Sequence, residues 1–365
     1  MDQTPPQNEF QQPVLRPTIV PEPQTPQKSR FWGRLFTAFL LLAFLGSMAL
    51  NVLLIGAIVV GQLGDSDEER VLEKYFSLNK HGTAKIAIIS IEGIILDGEG
   101  FFKGQIDRAQ KEIESGDLKA IVLRVNSPGG TICGSDYMLH HLRELVEKAG
   151  KKKTPIVVSM GGVAASGGYY VAMCVGDTPR SIFAEPSTWT GSIGVIIPHY
   201  NLAGLMEKLG VKEDDVASNP LKTMGSIARE MTPQEREIFK VLVNEGFTQF
   251  KDVIQSGRPT FRKDPAALDK LATGQVFTSK QALQNGLIDE IGFIEKAIDR
   301  AIELAKLDPK DVKVVKYKAE PRLANLLFGQ SEARKPLDLS LLLDSTTPRG
   351  YYLCTWLPML AGSAK

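Results

Sequence analysis

Cysteine is scarce, with three in 365 residues. Cys133, Cys174 and Cys354 are far apart and form no Cys-x-x-Cys pair, so neither a zinc site nor a disulfide framework is expected. Charge of one sign is equally scarce. Forty-three Lys and Arg face 42 Asp and Glu, a net charge of +1, which leaves no basic excess to follow phosphates and makes nucleic acid an unexpected partner. The G-x-x-x-x-G-K-[ST] phosphate loop is absent, no cluster of metal ligands shows in the sequence, and no cofactor is expected. Only four histidines occur. His81, His140, His141 and His199 all lie outside glycine-rich loops, which disfavours a Ser-His-Asp arrangement. No internal repeat is found.

What is present begins with contrast. Residues 1–34 carry seven prolines and little apolar periodicity, the composition of a disordered arm. Residues 35–64 then contain no charged side chain, enough for a helix to cross a bilayer, which takes about 20 apolar residues. The apolar run is too long for a cleavable leader, whose core is about 7 to 15 residues. Lys28, Arg30 and Arg34 precede it and "DSDEER" (65–70) follows. The positive-inside rule then keeps the N-terminus in the cytoplasm and puts the rest outside, with the lipid bilayer as a partner.

Residues 65–84 read as a charged linker with at most a short helix. Beyond them "KIAIISIEGIIL" (85–96), "LKAIVLRVNSPGG" (118–130) and "TPIVVSMGG" (154–162) read as buried strands, separated by helical stretches at 106–116 and 134–150. Strands alternating with crossover helices predict an α/β fold with parallel pairing. "TPQEREIFKVLVNEGFTQFKDVIQSG" (232–257) predicts a long helix, with Thr232 and Glu235 as a capping box and Pro233 in the first turn. The packed region closes near Leu307. Residues 308–365 form a tail whose apolar patches are too short to span a membrane.

One serine stands out. In "GVAASGGYYV" (162–171), Ser166 falls where a strand gives way to a helix, and such a junction leaves backbone N–H groups unpaired for an oxyanion. A helix cap or a packing role would explain the same residue. A second glycine loop, "NSPGG" (126–130), ends the neighbouring strand, and two such loops at one end of adjacent parallel strands make a crevice where ligands bind. A serine nucleophile needs a base. Lys222, in "SNPLKTMGS" (218–226), stands among apolar and small residues, and desolvation there would favour the neutral amine that a base requires. A solvated loop lysine is the plainer account of that stretch alone.

Taken together, "VLRVNSPGG", "SMGGVAASGGYYVA", "TGSIGVI", "SNPLKTMGS" and "GQVFTSKQALQNGLIDEIG" resemble the S49 family of signal peptide peptidases, in its short single-copy form, over roughly residues 85–307. The resemblance implies a Clp/crotonase-like ββα superhelix, a serine peptidase working through an acyl-enzyme without metal or cofactor, and anchorage in a bacterial cytoplasmic membrane. It implies Ser166 as nucleophile and Lys222 as general base. It also implies an oxyanion hole from Gly129 or Gly130 together with Gly167, and a hydroxyl that steadies the lysine, for which Thr188, Thr190 and Ser192 are candidates. Peptides, remnant signal peptides among them, are the implied substrates. Homo-oligomeric rings or domes with serine and lysine from neighbouring subunits are the implied assembly. Two rivals remain at this stage: a crotonase-like acyl-CoA hydratase or isomerase, and a membrane scaffold with no catalysis.

Overall fold

A computed structural model describes residues 30–63, 71–320 and 350–353. Most of the proline-rich arm, the acidic stretch after the apolar run, and most of the tail with Cys354 lie outside the described residues. Helix α1, Arg30–Leu63, forms a unit by itself. Within it, residues 34–53 are long and apolar enough to cross a membrane, and none of that stretch is buried.

The second unit is built in chain order from β1 (Val71–Leu78), β2 (Ala84–Glu92), α2 (Gly100–Ser115), β3 (Leu118–Ser127), β4 (Gly129–Thr131), α3 (Ile132–Lys152), β5 (Ile156–Ala165) and α4 (Gly167–Ala172). There follow β6 (Ile182–Ala184), β7 (Trp189–Gly191), α5 (Ala203–Lys208), α6 (Pro233–Gly257), α7 (Pro259–Lys263) and α8 (Pro265–Leu271). The chain continues with β8 (Val276–Thr278), α9 (Ser279–Gln284), β9 (Glu290–Ile291), α10 (Ile294–Ala305), β10 (Val312–Ala319) and β11 (Tyr351–Leu353).

The main sheet runs β1-β10-β2-β3-β5-β6-β9, with β7 on β5 and β8 on β7. Every pair from β10 to β9 is parallel, as the alternation of strands and helices predicts. Because successive side chains point to opposite faces, one strand feeds two cores. Ile89 and Ile91 of β2 join Ile121, Leu123 and Val125 of β3 on the face that also gathers Ile106, Leu139 and Leu142 of α2 and α3. Ile86, Ile88 and Val122 point the other way, onto Ala297, Ile298, Ala301 and Ile302 of α10. Both faces are covered, so the strands read as nearly continuous apolar runs.

The long helix is as expected. Glu235 N donates to Thr232 Oγ1 (3.2 Å) and Thr232 N to the Glu235 carboxylate (2.8 Å), closing the capping box at the start of α6. Other boundaries move. Residues 71–78, expected in a linker, form β1, which pairs antiparallel with β10. Strand β10 itself lies past position 307, where the packed region was expected to close. Alternation was weak in "VLEKYFSL" because β1 is an edge strand with mostly exposed side chains. Only its pairing with a strand more than 230 residues away defines it, and no local pattern reports that.

Candidate active site

Strand β5 continues past the expected end of its apolar run to Ala165, and α4 starts at Gly167. Ser166 is therefore the single residue between them. It takes φ +54° and ψ −117°, a conformation that side chains other than glycine rarely adopt and that costs about 1–3 kcal/mol unless its surroundings enforce it. Here they do. Ser166 N donates to Gly191 O at the end of β7 (2.7 Å), and Ser166 O accepts from Tyr170 N (2.8 Å). The side chain is 1 % exposed, and its hydroxyl has no hydrogen-bond partner among the described residues.

The second glycine loop lies against this turn. A Cβ on Gly129 would stand 2.6 Å from Gly167 N and 3.1 Å from Ser166 Cβ, while one on Gly167 would stand 3.1 Å from Gly129 Cα and 3.2 Å from Gly130 N. Three glycines thus converge beside the serine, and side chains at these positions would close the gap. Gly129 also has φ +97°, where glycine avoids the strain of a side chain. The Gly129 N–H is already used, donating to Ser127 Oγ (3.1 Å).

The remaining candidates separate. Thr188 Oγ1 donates to Gly161 O and Thr190 Oγ1 to Ala164 O, each at 2.6 Å, so both hydroxyls tie β7 and its approach to β5. Ser192 is 6 % exposed, and its hydroxyl makes no hydrogen bond among the described residues. Lys222 stands in a single 3-10 turn, Pro220–Thr223. It is exposed, contrary to the desolvation expected from its neighbours in sequence. No hydrogen bond or ion pair joins it to Ser166 among the described residues. None of the four histidines is bonded to Ser166 either.

Several residues shape this region without having stood out in sequence. Arg229 links Thr223, beside Lys222, to Glu235 at the start of α6. Its hydrogen bond is the main cause that holds the Glu235 carboxyl down at about 2, against the opposing effect of burial. Tyr170 is fully buried, and its hydroxyl donates to Asp136 Oδ1 (2.7 Å) and accepts from Gln249 Nε2 (3.2 Å). Burial, with the Asp136 bond adding to it, pushes that phenol above its ordinary range. Burial likewise pushes the Cys174 thiol up to about 12, so it behaves as a small core hydrophobe. His140, His141 and Glu144 form a group of possible metal ligands that the sequence reading did not find. His141 Nδ1 and Glu144 are paired at 2.9 Å within it.

A strained, hydroxyl-bearing turn between strand and helix, faced by a glycine loop, has the shape in which hydrolases that work through a nucleophile hold one. Comparison with known proteins narrows the class. Residues 148–308 match the model of peptidase family S49. The chain is 35 % identical over 265 residues to a putative protease of Synechocystis, covering 72 % of this chain and 89 % of that one. It is 36 % identical over 243 residues to a putative signal peptide peptidase SppA of Enterococcus faecium, covering 64 % and 67 %. Protease 4 of Salmonella typhi is 36 % identical over 270 residues, 71 % of this chain but 41 % of that longer protein. A solved membrane-bound stomatin-specific protease in complex with a substrate peptide overlaps 67 % of this chain at TM-score 0.38 and 19 % identity, too loosely to assign anything here. The chain belongs to peptidase family S49, and it is a peptidase.

Proposed function

We propose that this chain is a membrane-anchored serine endopeptidase that acts on apolar peptides, remnant signal peptides among them. Ser166 is its nucleophile and Lys222 of a neighbouring copy its general base. The observation that carries this reading is the strained position of Ser166 against Gly129, Gly130 and Gly167. The name of the Enterococcus relative favours signal peptides as substrates, and helix α1 favours anchorage. Lys222, exposed and without a side-chain partner among the described residues, favours a base donated across a subunit contact, because another copy would supply the burial that the described part of its own chain does not.

In this mechanism the neutral Lys222 amine takes the proton of Ser166 as Oγ attacks the scissile carbonyl carbon. The oxyanion that forms is held by the N–H of Gly167 together with that of Gly129 or Gly130. Collapse breaks the C–N bond, and the amine leaves with the proton that the lysine returns. Water then hydrolyses the Ser166 ester, with the lysine again accepting a proton. Of the three candidate hydroxyls, Ser192 is favoured to orient the lysine because its proton is uncommitted among the described residues, whereas Thr188 and Thr190 already donate theirs to β5 carbonyls and could only accept from the amine.

The test is cleavage of an apolar peptide by the full chain in detergent, comparing wild type with Ser166→Ala and Lys222→Ala at matched oligomeric state. Loss of turnover in both variants is expected. Wild-type rates in either one, with the peptide cut at the same bond, would remove that residue from the mechanism.

A further inference from the structure

Helix α3 buries Leu139, Leu142 and Leu145 in the core. The flank of the same turns carries two adjacent histidines and a glutamate, His140, His141 and Glu144. With about 100° between successive residues, Glu144 projects about 40° from His140 and about 60° from His141, one turn further along. The carboxylate is thereby set between the two imidazoles. Spacings of three and four residues are those at which side chains on a helix meet.

The distances follow from that placement. His141 Nδ1 lies 2.9 Å from Glu144 Oε2, and His140 Nε2 lies 3.6 Å from Glu144 Oε1. One ligand atom from each of the three residues falls within 4.8 Å of the other two. A tetrahedral zinc ion with bonds of about 2.0–2.1 Å holds its ligand atoms about 3.3 Å apart, and the two spacings straddle that value. The side chains of His140 and Glu144 are 62 % and 50 % exposed, so each can turn to close the difference. His141 is the fixed member. Its side chain is 9 % exposed, and Tyr137 packs edge-on against its ring, with centroids 4.5 Å apart.

The charges suit a cation of a particular kind. The hydrogen bond from His141 is the main cause that holds the Glu144 carboxyl below its usual range, against burial, with His140 and Lys103 of α2 assisting. Glu144 is therefore an anion at neutral pH, the form that a metal requires. Lys103 does not fill the gap itself, because its amine pairs with Asp107 on its own helix. Two imidazole nitrogens and one carboxylate suit zinc and its neighbours, whereas calcium and magnesium select oxygen ligands. The strength of the site is limited by its surroundings. His141 Nε2 is buried and has no hydrogen-bond partner among the described residues, and a metal-bound histidine without such an outer bond loses about 10–100-fold in affinity.

We propose that His140 Nε2, His141 Nδ1 and the Glu144 carboxylate form a binding site for a divalent transition ion of the zinc class, with water completing the coordination. The site is separate from the peptidase machinery, since no hydrogen bond among the described residues joins these three to Ser166, and the proposal does not rest on Ser166 being the nucleophile. The ion selects the helical spacing of its ligands, so it binds the folded chain in preference to the unfolded one.

The experiment titrates zinc by calorimetry into the full chain in detergent, prepared without a histidine tag and stripped with a chelator. Wild type should take up one zinc per chain in the micromolar range. His140→Ala and Glu144→Gln should each weaken that uptake at least about tenfold. Both side chains are largely exposed, so both variants should keep the metal-free thermal midpoint of wild type. Cobalt is the second probe, and its visible absorption on wild type should be that of nitrogen and oxygen ligands. A thiolate-to-cobalt band would instead place the ion at a cysteine, such as the exposed Cys133, and overturn the proposal. No zinc uptake by wild type at micromolar concentration would overturn it as well, and that result stands even if a variant does not fold. Uptake as tight as wild type in either folded variant would remove that residue and with it the three-ligand site.

Discussion

Gly129 and Ser166 approach so closely that a methyl group on the glycine would lie 3.1 Å from the serine Cβ, and 2.6 Å from the Gly167 nitrogen. Gly129→Ala would push a carbon into the cleft proposed for the oxyanion, at a backbone φ of +97°. Turnover should fall about 10²–10³-fold, the range seen when a donor to an oxyanion is lost. Gly130→Ala differs in kind, because its Cβ would stand 1.7 Å from the carbonyl oxygen of Ile95. It should reduce soluble, folded protein rather than rate alone. Activity and thermal midpoint measured on both variants would separate the two effects, and a fully active Gly129→Ala would contradict this account of the cleft.

Ser166 holds a left-handed backbone that glycine would adopt without strain. Ser166→Gly should therefore remove all peptidase activity and yet raise the thermal midpoint. Relief of about 1–3 kcal/mol of strain outweighs the extra unfolded-state freedom of glycine, about 0.5–1 kcal/mol. Ser166→Ala removes the hydroxyl while keeping the strain, so it serves as the control. A midpoint for the glycine variant no higher than that of the alanine variant would show that the turn is not strained.

Much of this arrangement was legible in the sequence for local reasons. The parallel core strands are dense in isoleucine and valine because both faces are buried, and the Thr232–Glu235 capping box and its helix follow from four consecutive positions. Gly129, Gly130, Gly167 and Ser166 were legible as two glycine loops ending neighbouring strands, and the structure brings them together. What the sequence could not disclose depends on distant partners. Strand β1 is defined by β10, and the hydroxyls of Thr188 and Thr190 by carbonyls of β5. Lys222 reads as desolvated from Pro220, Leu221 and Met224, yet in its own chain it is exposed, because adjacency in sequence does not bury a side chain.

If Lys222 serves the Ser166 of a neighbouring copy, two inactive variants should complement each other. Ser166→Ala and Lys222→Ala chains, dissociated and reassembled together in equal amounts, form some contacts that join an intact serine to an intact lysine. With random assembly through a head-to-tail interface, about a quarter of sites should be whole. Activity should return to that fraction of wild type. Activity that stays absent, although mixed oligomers are shown to form, would place both residues in one chain.

The Arg229–Glu235 pair offers a test of what holds the Lys222 loop. Arg229 Nη2 donates to Thr223 O (3.0 Å) and to Glu235 Oε1 (2.5 Å), so one guanidinium ties the residue after Lys222 to the start of α6. Glu235 itself is 1 % exposed. Its carboxyl is lowered from 4.5 to about 2, chiefly by the Arg229 hydrogen bond and further by the backbone of Thr232, with burial working against both. A carboxylate whose folded pKa is depressed stabilises the fold fully above its unfolded value, and that contribution is lost as pH falls through the folded value. Glu235→Gln keeps the capping geometry but removes the charge. It should be less stable than wild type by about 1–2 kcal/mol at neutral pH, with the difference shrinking from about pH 4.5 and vanishing near pH 2. Its kcat should fall more than its KM changes, since the loop that carries the proposed base is loosened while the peptide cleft is untouched. Denaturant unfolding at several pH values reads the first effect and peptide kinetics the second. A stability gap that stays constant down to pH 2 would show that the ionised carboxylate does not fasten this loop.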